Sequence, residues 1–151
     1  MRETQVPRPV VTVAAIVVRD DAFLLVEEET RAGVRLNQPA GHLEAGETLV
    51  AAAVRETLEE TGYRVAPTEL VGIYRWQAPE TGATFLRFAF AANVTGHDPG
   101  RVLDEGILRA LWLPYDGLLA RRAMHRSPLV LRCVDDYLAG VRQPLDAVTE
   151  L

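Results

Sequence analysis

Five carboxylates, Glu44, Glu47, Glu56, Glu59 and Glu60, fall within seventeen residues of a 151-residue chain. The segment Leu49–Thr61 between them is rich in Ala, Leu, Glu and Arg and has no Gly or Pro. It follows Thr48, a capping residue, and stops at Gly62, so the pattern predicts a helix. At about 100° per residue, Val50, Val54, Thr57, Leu58 and Thr61 share one side, and Glu56, Glu59 and Glu60 share the other. Glu59 and Glu60 then overlie Glu56 at helical spacing, within reach of a single ion.

Glutamates on a helix commonly belong to a solvated face, but two features oppose that reading. Glu56 and Glu60 form a like-charge pair, and Glu59 and Glu60 stand in the last turn, where the helix dipole disfavours an anion by about 0.3–1 kcal/mol. A hard divalent cation reverses both costs, because it prefers carboxylate oxygens and keeps water and phosphate among its remaining ligands. Glu56, Glu59 and Glu60 are therefore candidate metal ligands. Arg55, four residues before Glu59, fits either an ordinary helix ion pair or a group orienting a ligating carboxylate.

The run Gly41-HLEAG-Glu47-TLVAAAV-Arg55-Glu56-TL-Glu59-Glu60-T-Gly62-Tyr63 resembles the Nudix box, G-x5-E-x7-R-E-U-x-E-E-x-G-U with U a bulky aliphatic. Every charged and glycine position is met. Thr57 stands where an aliphatic is usual, and Tyr63 is aromatic at the last such position. The resemblance implies an α+β chain with the Nudix fold, a three-layer α/β/α sandwich around a mixed β-sheet. It implies a single domain over 1–151 with its box loop-helix-loop at 41–63. It also implies a site that binds Mg²⁺, or Mn²⁺, and hydrolyses a nucleoside diphosphate linked to another group. The Gly41 carbonyl joins the metal ligands by the same resemblance, and Glu47 becomes a support for them.

Three further stretches, Asn37-Gln38-Pro39-Ala40-Gly41-His42-Leu43-Glu44, Phe85-Leu86-Arg87-Phe88 and Arg126-Ser127-Pro128-Leu129-Val130, resemble the NudJ-type phosphatase branch of that family, with Leu36 where an aromatic is usual. The expected substrates are then nucleoside tri- and diphosphates or the hydroxymethylpyrimidine pyrophosphate precursor of thiamin. Nucleotide sugars and dinucleoside polyphosphates are the alternatives within the family. Two readings outside catalysis are a nucleotide-sensing module and an interaction domain whose acidic helix meets a basic partner. Modules that only sense often lack box acids, and none is missing here.

Hydrolysis at phosphorus needs neutralised phosphate oxygens, an activated water, and attacking and leaving atoms held in line. The proton acceptor is either Glu56 or Glu105, which precedes the strand ending near Trp112; spacing does not separate them. Arg87 and Arg35 are candidate phosphate contacts because a guanidinium can fork onto two oxygens. Trp76 is a candidate stacking surface for a base, although an aromatic at a strand end more often packs. His42 lies in the box loop, while His97, His125 and Cys133 have no companion ligands in sequence.

The elements that must carry these groups follow from pattern. Val10–Val18 and Ala22–Glu28, joined through Asp20-Asp21, predict a hairpin. Pro39–Glu47 holds too many turn formers for a regular element and is expected as loop. Leu70–Trp76, Thr84–Val94 and Ile107–Leu113 are further strands, divided by Pro79-Glu80-Thr81-Gly82 and Gly96-His97-Asp98-Pro99-Gly100. Ser127 and Pro128 open a second helix over Leu129–Ala139, which ends at Gly140. Strands mixed with helices suggest a sheet covered by helices.

All 16 basic residues are Arg, so lysine nucleophiles, Schiff bases and P-loop ammonium groups are excluded. A net charge of −5 with no basic cluster argues against duplex nucleic acid as a partner. One cysteine permits no internal disulfide, and residues 1–9 are polar with two prolines, unlike a secretory leader. Cytoplasmic residence, no membrane span, a small phosphorylated substrate, and a monomer or homodimer are the expectations.

Overall fold

Asp20 and Asp21 both take positive φ, 51° and 61°, as the tightest hairpin turns require, and aspartate tolerates that conformation better than most residues. They join β1 (Val10–Arg19) to β2 (Ala22–Thr30) in the expected antiparallel hairpin. The computed structural model describes residues 6–151, so most of the N-terminal segment read for targeting lies outside it. Among the described residues no helix is long and apolar enough to cross a membrane.

Two short strands lie where composition suggested none. β3 (Gly33–Asn37) pairs antiparallel with β2, with Glu28 opposite Arg35, and β4 (Ala40–His42) pairs with Thr12–Ala14 of β1. Pro39–Glu47 is therefore not loop throughout. Backbone pairing to an already formed neighbour, rather than the β-propensity of these residues, makes β4 a strand.

The helix α1 (Leu49–Thr61) has the predicted limits: Thr48 Oγ1 accepts from Ala51 N at 3.1 Å, and Gly62 closes it at φ 75°. Its buried face differs from the one read from periodicity. Leu49, Ala52, Ala53, Glu56, Thr57, Glu60 and Thr61 are buried, while Val50, Val54 and Leu58 are only partly covered. The alanines present a narrow surface to the sheet, and seating the helix on it turns Glu56 and Glu60 inward.

β5 (Tyr63–Gln77) and β6 (Thr84–His97) form a long antiparallel pair, broken by register shifts that include one at Pro67/Glu69. β7 (Ile107–Pro114) pairs with β2. A short helix α2 (Tyr115–Ala120), unexpected because it contains Gly117, leads toward α3 (Leu129–Leu138), and β8 (Gln143–Pro144) adds to the edge of β5. The strand order is β3-β2-β1-β6-β5-β8, with β4 on β1 and β7 on β2. β1 and β6 run parallel and the other paired strands run antiparallel, which makes the sheet mixed.

Alternation along β1 assigns its two faces. Val13 packs with Leu49, Ala52 and Ala53 of α1, and Ala14 and Ile16 pack with Val130, Cys133 and Val134 of α3. The architecture is the expected α+β three-layer arrangement with helices on both sides of the sheet. The strands β1 and β4 and the helix α1 meet at one end of it.

Candidate active site

The backbone of β4 lies directly against α1. A Cβ built on Gly41 would stand 2.2 Å from Glu56 Cδ, so no other residue fits there without displacing that carboxylate. One residue earlier, Ala40 N donates to Glu60 Oε1 at 2.9 Å. Pairing of Val13 with Gly41 and Ala14 with Ala40 fixes this edge to the centre of the sheet. Two of the predicted ligand carboxylates and the Gly41 backbone are thus brought together.

Carboxylate oxygens of Glu56, Glu59 and Asp104 all lie within 4.8 Å of one another. Asp104 comes from the segment between β6 and β7, which is tied to the end of α1 by Asp98 N→Gly62 O at 2.8 Å and Asp104 N→Glu59 O at 3.0 Å. The extra acid expected at Glu105 is therefore not the residue found in this group; its neighbour is. Adjacent acids in a loop look equivalent in sequence, and only the hydrogen bond to Glu59 O distinguishes them.

Arg55 links the carboxylates. Nε and Nη2 fork onto Glu47 at 3.0 and 2.7 Å, Nη1 reaches Glu56 Oε1 at 2.9 Å and Glu59 Oε2 at 3.2 Å, and Nη2 also donates to His42 O at 3.0 Å. Glu47 in turn accepts from Glu44 N at 2.8 Å. The guanidinium holds Glu47 below the usual carboxylate range, chiefly through these hydrogen bonds. Arg55 makes the helix ion pair with Glu59, and its contacts to His42 O and Glu47 close the loop over the helix.

Burial has the opposite effect on the inner acids. Desolvation raises Glu56, with Arg55 partly offsetting it. Glu60 is pushed up to about 8 by burial first, then by the charges of Glu56, Glu28 and Asp104, against the Ala40 N–H that favours its anion. Crowded carboxylates that run from buried Glu56 and Glu60 through half-buried Glu59 to exposed Asp104, with a glycine backbone alongside, suit a hard divalent cation: its charge offsets mutual repulsion and the desolvation of the inner pair.

The remaining candidates are placed elsewhere. Arg87 is only 5% exposed and donates from Nη1 to Gln38 Oε1 at 2.9 Å and from Nη2 to Asn37 Oδ1 at 3.2 Å. Trp76 stacks on Phe85, ring centroids 5.9 Å apart. Arg35 is half-buried on β3 and donates to Val34 O. Arg126, which sequence reading noted but gave no role, is pinned by its backbone N to Leu36 O at 2.7 Å and pairs with Glu28 at 3.4 Å. His97 stacks on Tyr63, His125 Nε2 lies 2.9 Å from Leu118 O, and Cys133 is buried.

Comparison with known proteins places the chain among hydrolases that act on pyrophosphate bonds. The family model described as NUDIX domain matches residues 8–133, and the chain belongs to the Nudix family. It is similar to Phosphatase NudJ of Escherichia coli (strain K12), 40% identical over 141 residues that cover 93% of this chain and 91% of the relative. A solved NUDIX hydrolase from Nitrosomonas europaea is 51% identical, with a TM-score of 0.93, covering 95% of this chain and 98% of that one. The fold alone is shared with a UDP-X diphosphatase at 17% identity and TM-score 0.72, covering 93% of this chain and 68% of that one.

Proposed function

We propose that this protein carries out Mg²⁺-dependent hydrolysis of a pyrophosphate bond in nucleoside tri- or diphosphates, or in the hydroxymethylpyrimidine pyrophosphate precursor of thiamin. The observation that carries the reading is the convergence of Glu56, Glu59 and Asp104 beside the Gly41 backbone and the buried Glu60. The likeness to Phosphatase NudJ supports the substrate class. Residues 1–151 are taken as one domain.

In this reading Glu56, Glu59, Glu60 and the Gly41 carbonyl hold the cation, and Mn²⁺ substitutes for Mg²⁺. When bound, such an ion neutralises phosphate oxygens and makes water a better nucleophile. Arg55 and Glu47 keep the ligating carboxylates oriented, as outer partners of metal sites do. Asp104 accepts the proton of the attacking water: Glu56 Oε1 is tied to Arg55, and Glu105 stands outside the cluster. Arg35 and Trp76 remain proposed contacts to phosphate and base.

A product-resolved assay with Mg²⁺ tests this on nucleoside di- and triphosphates, the thiamin pyrimidine pyrophosphate, nucleotide sugars and dinucleoside polyphosphates. Preference for either of the first two classes is expected. Preference for nucleotide sugars or dinucleoside polyphosphates would overturn the substrate assignment, and Mg²⁺-independent or absent turnover would overturn the whole reading.

A further inference from the structure

Arg87 Nε is the buried side-chain atom that finds no hydrogen-bond partner among the described residues. The guanidinium to which it belongs is almost fully buried and makes no ion pair there; its partners are the amide oxygens of Asn37 and Gln38. A buried cation without a counter-charge is costly, and a neutral side chain would fill this space at less expense. What a neutral residue lacks is the fork. Two parallel donors fixed in one plane can bracket the side-chain oxygens of two consecutive residues, and a lysine ammonium cannot hold that geometry.

The bracketed pair leads straight to the acid cluster. Gln38 Nε2 donates to Val130 O of α3 at 2.7 Å, Pro39 O accepts from Ala15 N at 3.0 Å, Ala40 N holds Glu60, and Gly41 abuts Glu56. Arg87 itself is registered in the sheet between Thr12 of β1 and Tyr74 of β5. We propose that Arg87 is a positioning residue: by clamping Asn37 and Gln38 it sets the place of Ala40 and Gly41 against Glu60 and Glu56, and so tunes metal affinity without touching the substrate. This rests on the metal-site reading above.

The test compares wild type, Arg87→Gln and Arg87→Lys in the full chain. Calorimetric titration with Mn²⁺, the Mg²⁺ concentration for half-maximal turnover, and substrate KM at saturating metal are measured well below each Tm. Both variants are expected to bind Mn²⁺ at least about tenfold more weakly, the scale seen for outer partners of metal sites. Substrate KM should stay within about threefold. Should Arg87→Gln fail to fold, Asn37→Ala removes one prong and should weaken Mn²⁺ binding in the same direction.

Unchanged Mn²⁺ affinity with a lowered Tm would overturn the proposal in favour of a purely structural clamp. Raised KM with unchanged Mn²⁺ affinity would overturn it in favour of a phosphate contact. Recovery of wild-type affinity by Arg87→Lys would show that charge rather than the fork matters, and would overturn it too. If wild type itself binds no Mn²⁺, the metal-site reading fails first and takes this proposal with it.

Discussion

Gly41 and Glu56 are so close that a methyl group on the glycine would overlap the carboxyl carbon of the glutamate. Nothing else in the contact gives: Gly41 is held in β4 by pairing to Val13, and Glu56 is held in the buried face of α1. Gly41→Ala is therefore expected to displace Glu56 and weaken Mn²⁺ binding more than about tenfold, while the helix itself stays folded. Calorimetry alongside far-UV circular dichroism checks both halves of that statement.

The limits of α1 were legible because Thr48 and Gly62 announce them, and the β1–β2 hairpin because Asp20-Asp21 suits its turn. Which face of α1 is buried was not. Periodicity weighs each valine and leucine by its own hydrophobicity, whereas the sheet selects the face with the smallest side chains, and that face carries Glu56 and Glu60. β3 and β4 escaped for a related reason: their strand character comes from partners far along the chain. Asp104 was overlooked because two adjacent acids in a loop can be told apart only by a backbone contact with Glu59.

Asp104 and Glu105 should behave very differently when neutralised. Asp104→Asn is expected to lower kcat by about 100-fold, the lower range for loss of a positioned proton acceptor, and Glu105→Gln to lower it less than about threefold. Equal losses, or a greater loss from Glu105→Gln, would return the role to Glu105.

Arg55 holds Glu47, Glu56 and Glu59 together, so Arg55→Met should release all three. An affinity loss of about 10–100-fold for Mn²⁺ is expected. Arg55→Lys should recover only part of it, because an ammonium cannot keep the paired contact to Glu47 while reaching the other two. Titration calorimetry of both variants provides the comparison.

Adding Mg²⁺ to chelator-treated protein should raise its Tm. At about one hundred times the dissociation constant the gain is about 2.7 kcal/mol, or about 5–10 °C for a chain of this size. Glu60→Gln should remove most of that rise, since its carboxylate is the proposed ligand that Ala40 N anchors. A thermal melt series against Mg²⁺ concentration measures it.

Cys133 should resist thiol reagents in the native state. Burial pushes its thiol up, with Arg87 opposing only in part, so little thiolate exists near pH 8. The folded chain then keeps this proton where the unfolded chain would lose it, and the stabilisation linked to it fades as pH climbs past the ordinary thiol value. Dithionitrobenzoate should react slowly without denaturant and completely with it; fast native labelling would contradict the buried placement.

The parallel pairing of β1 with β6 sets Val10 opposite Phe85, and every acid from Glu44 to Glu60 lies on the chain between them. Closing so large a loop costs entropy before it returns any contact. During synthesis the glutamates leave the ribosome well before β6 and the Asp104 segment that complete their surroundings. A nascent chain halted after α1 would carry the box acids and still lack the sheet and the fourth carboxylate that give them their setting.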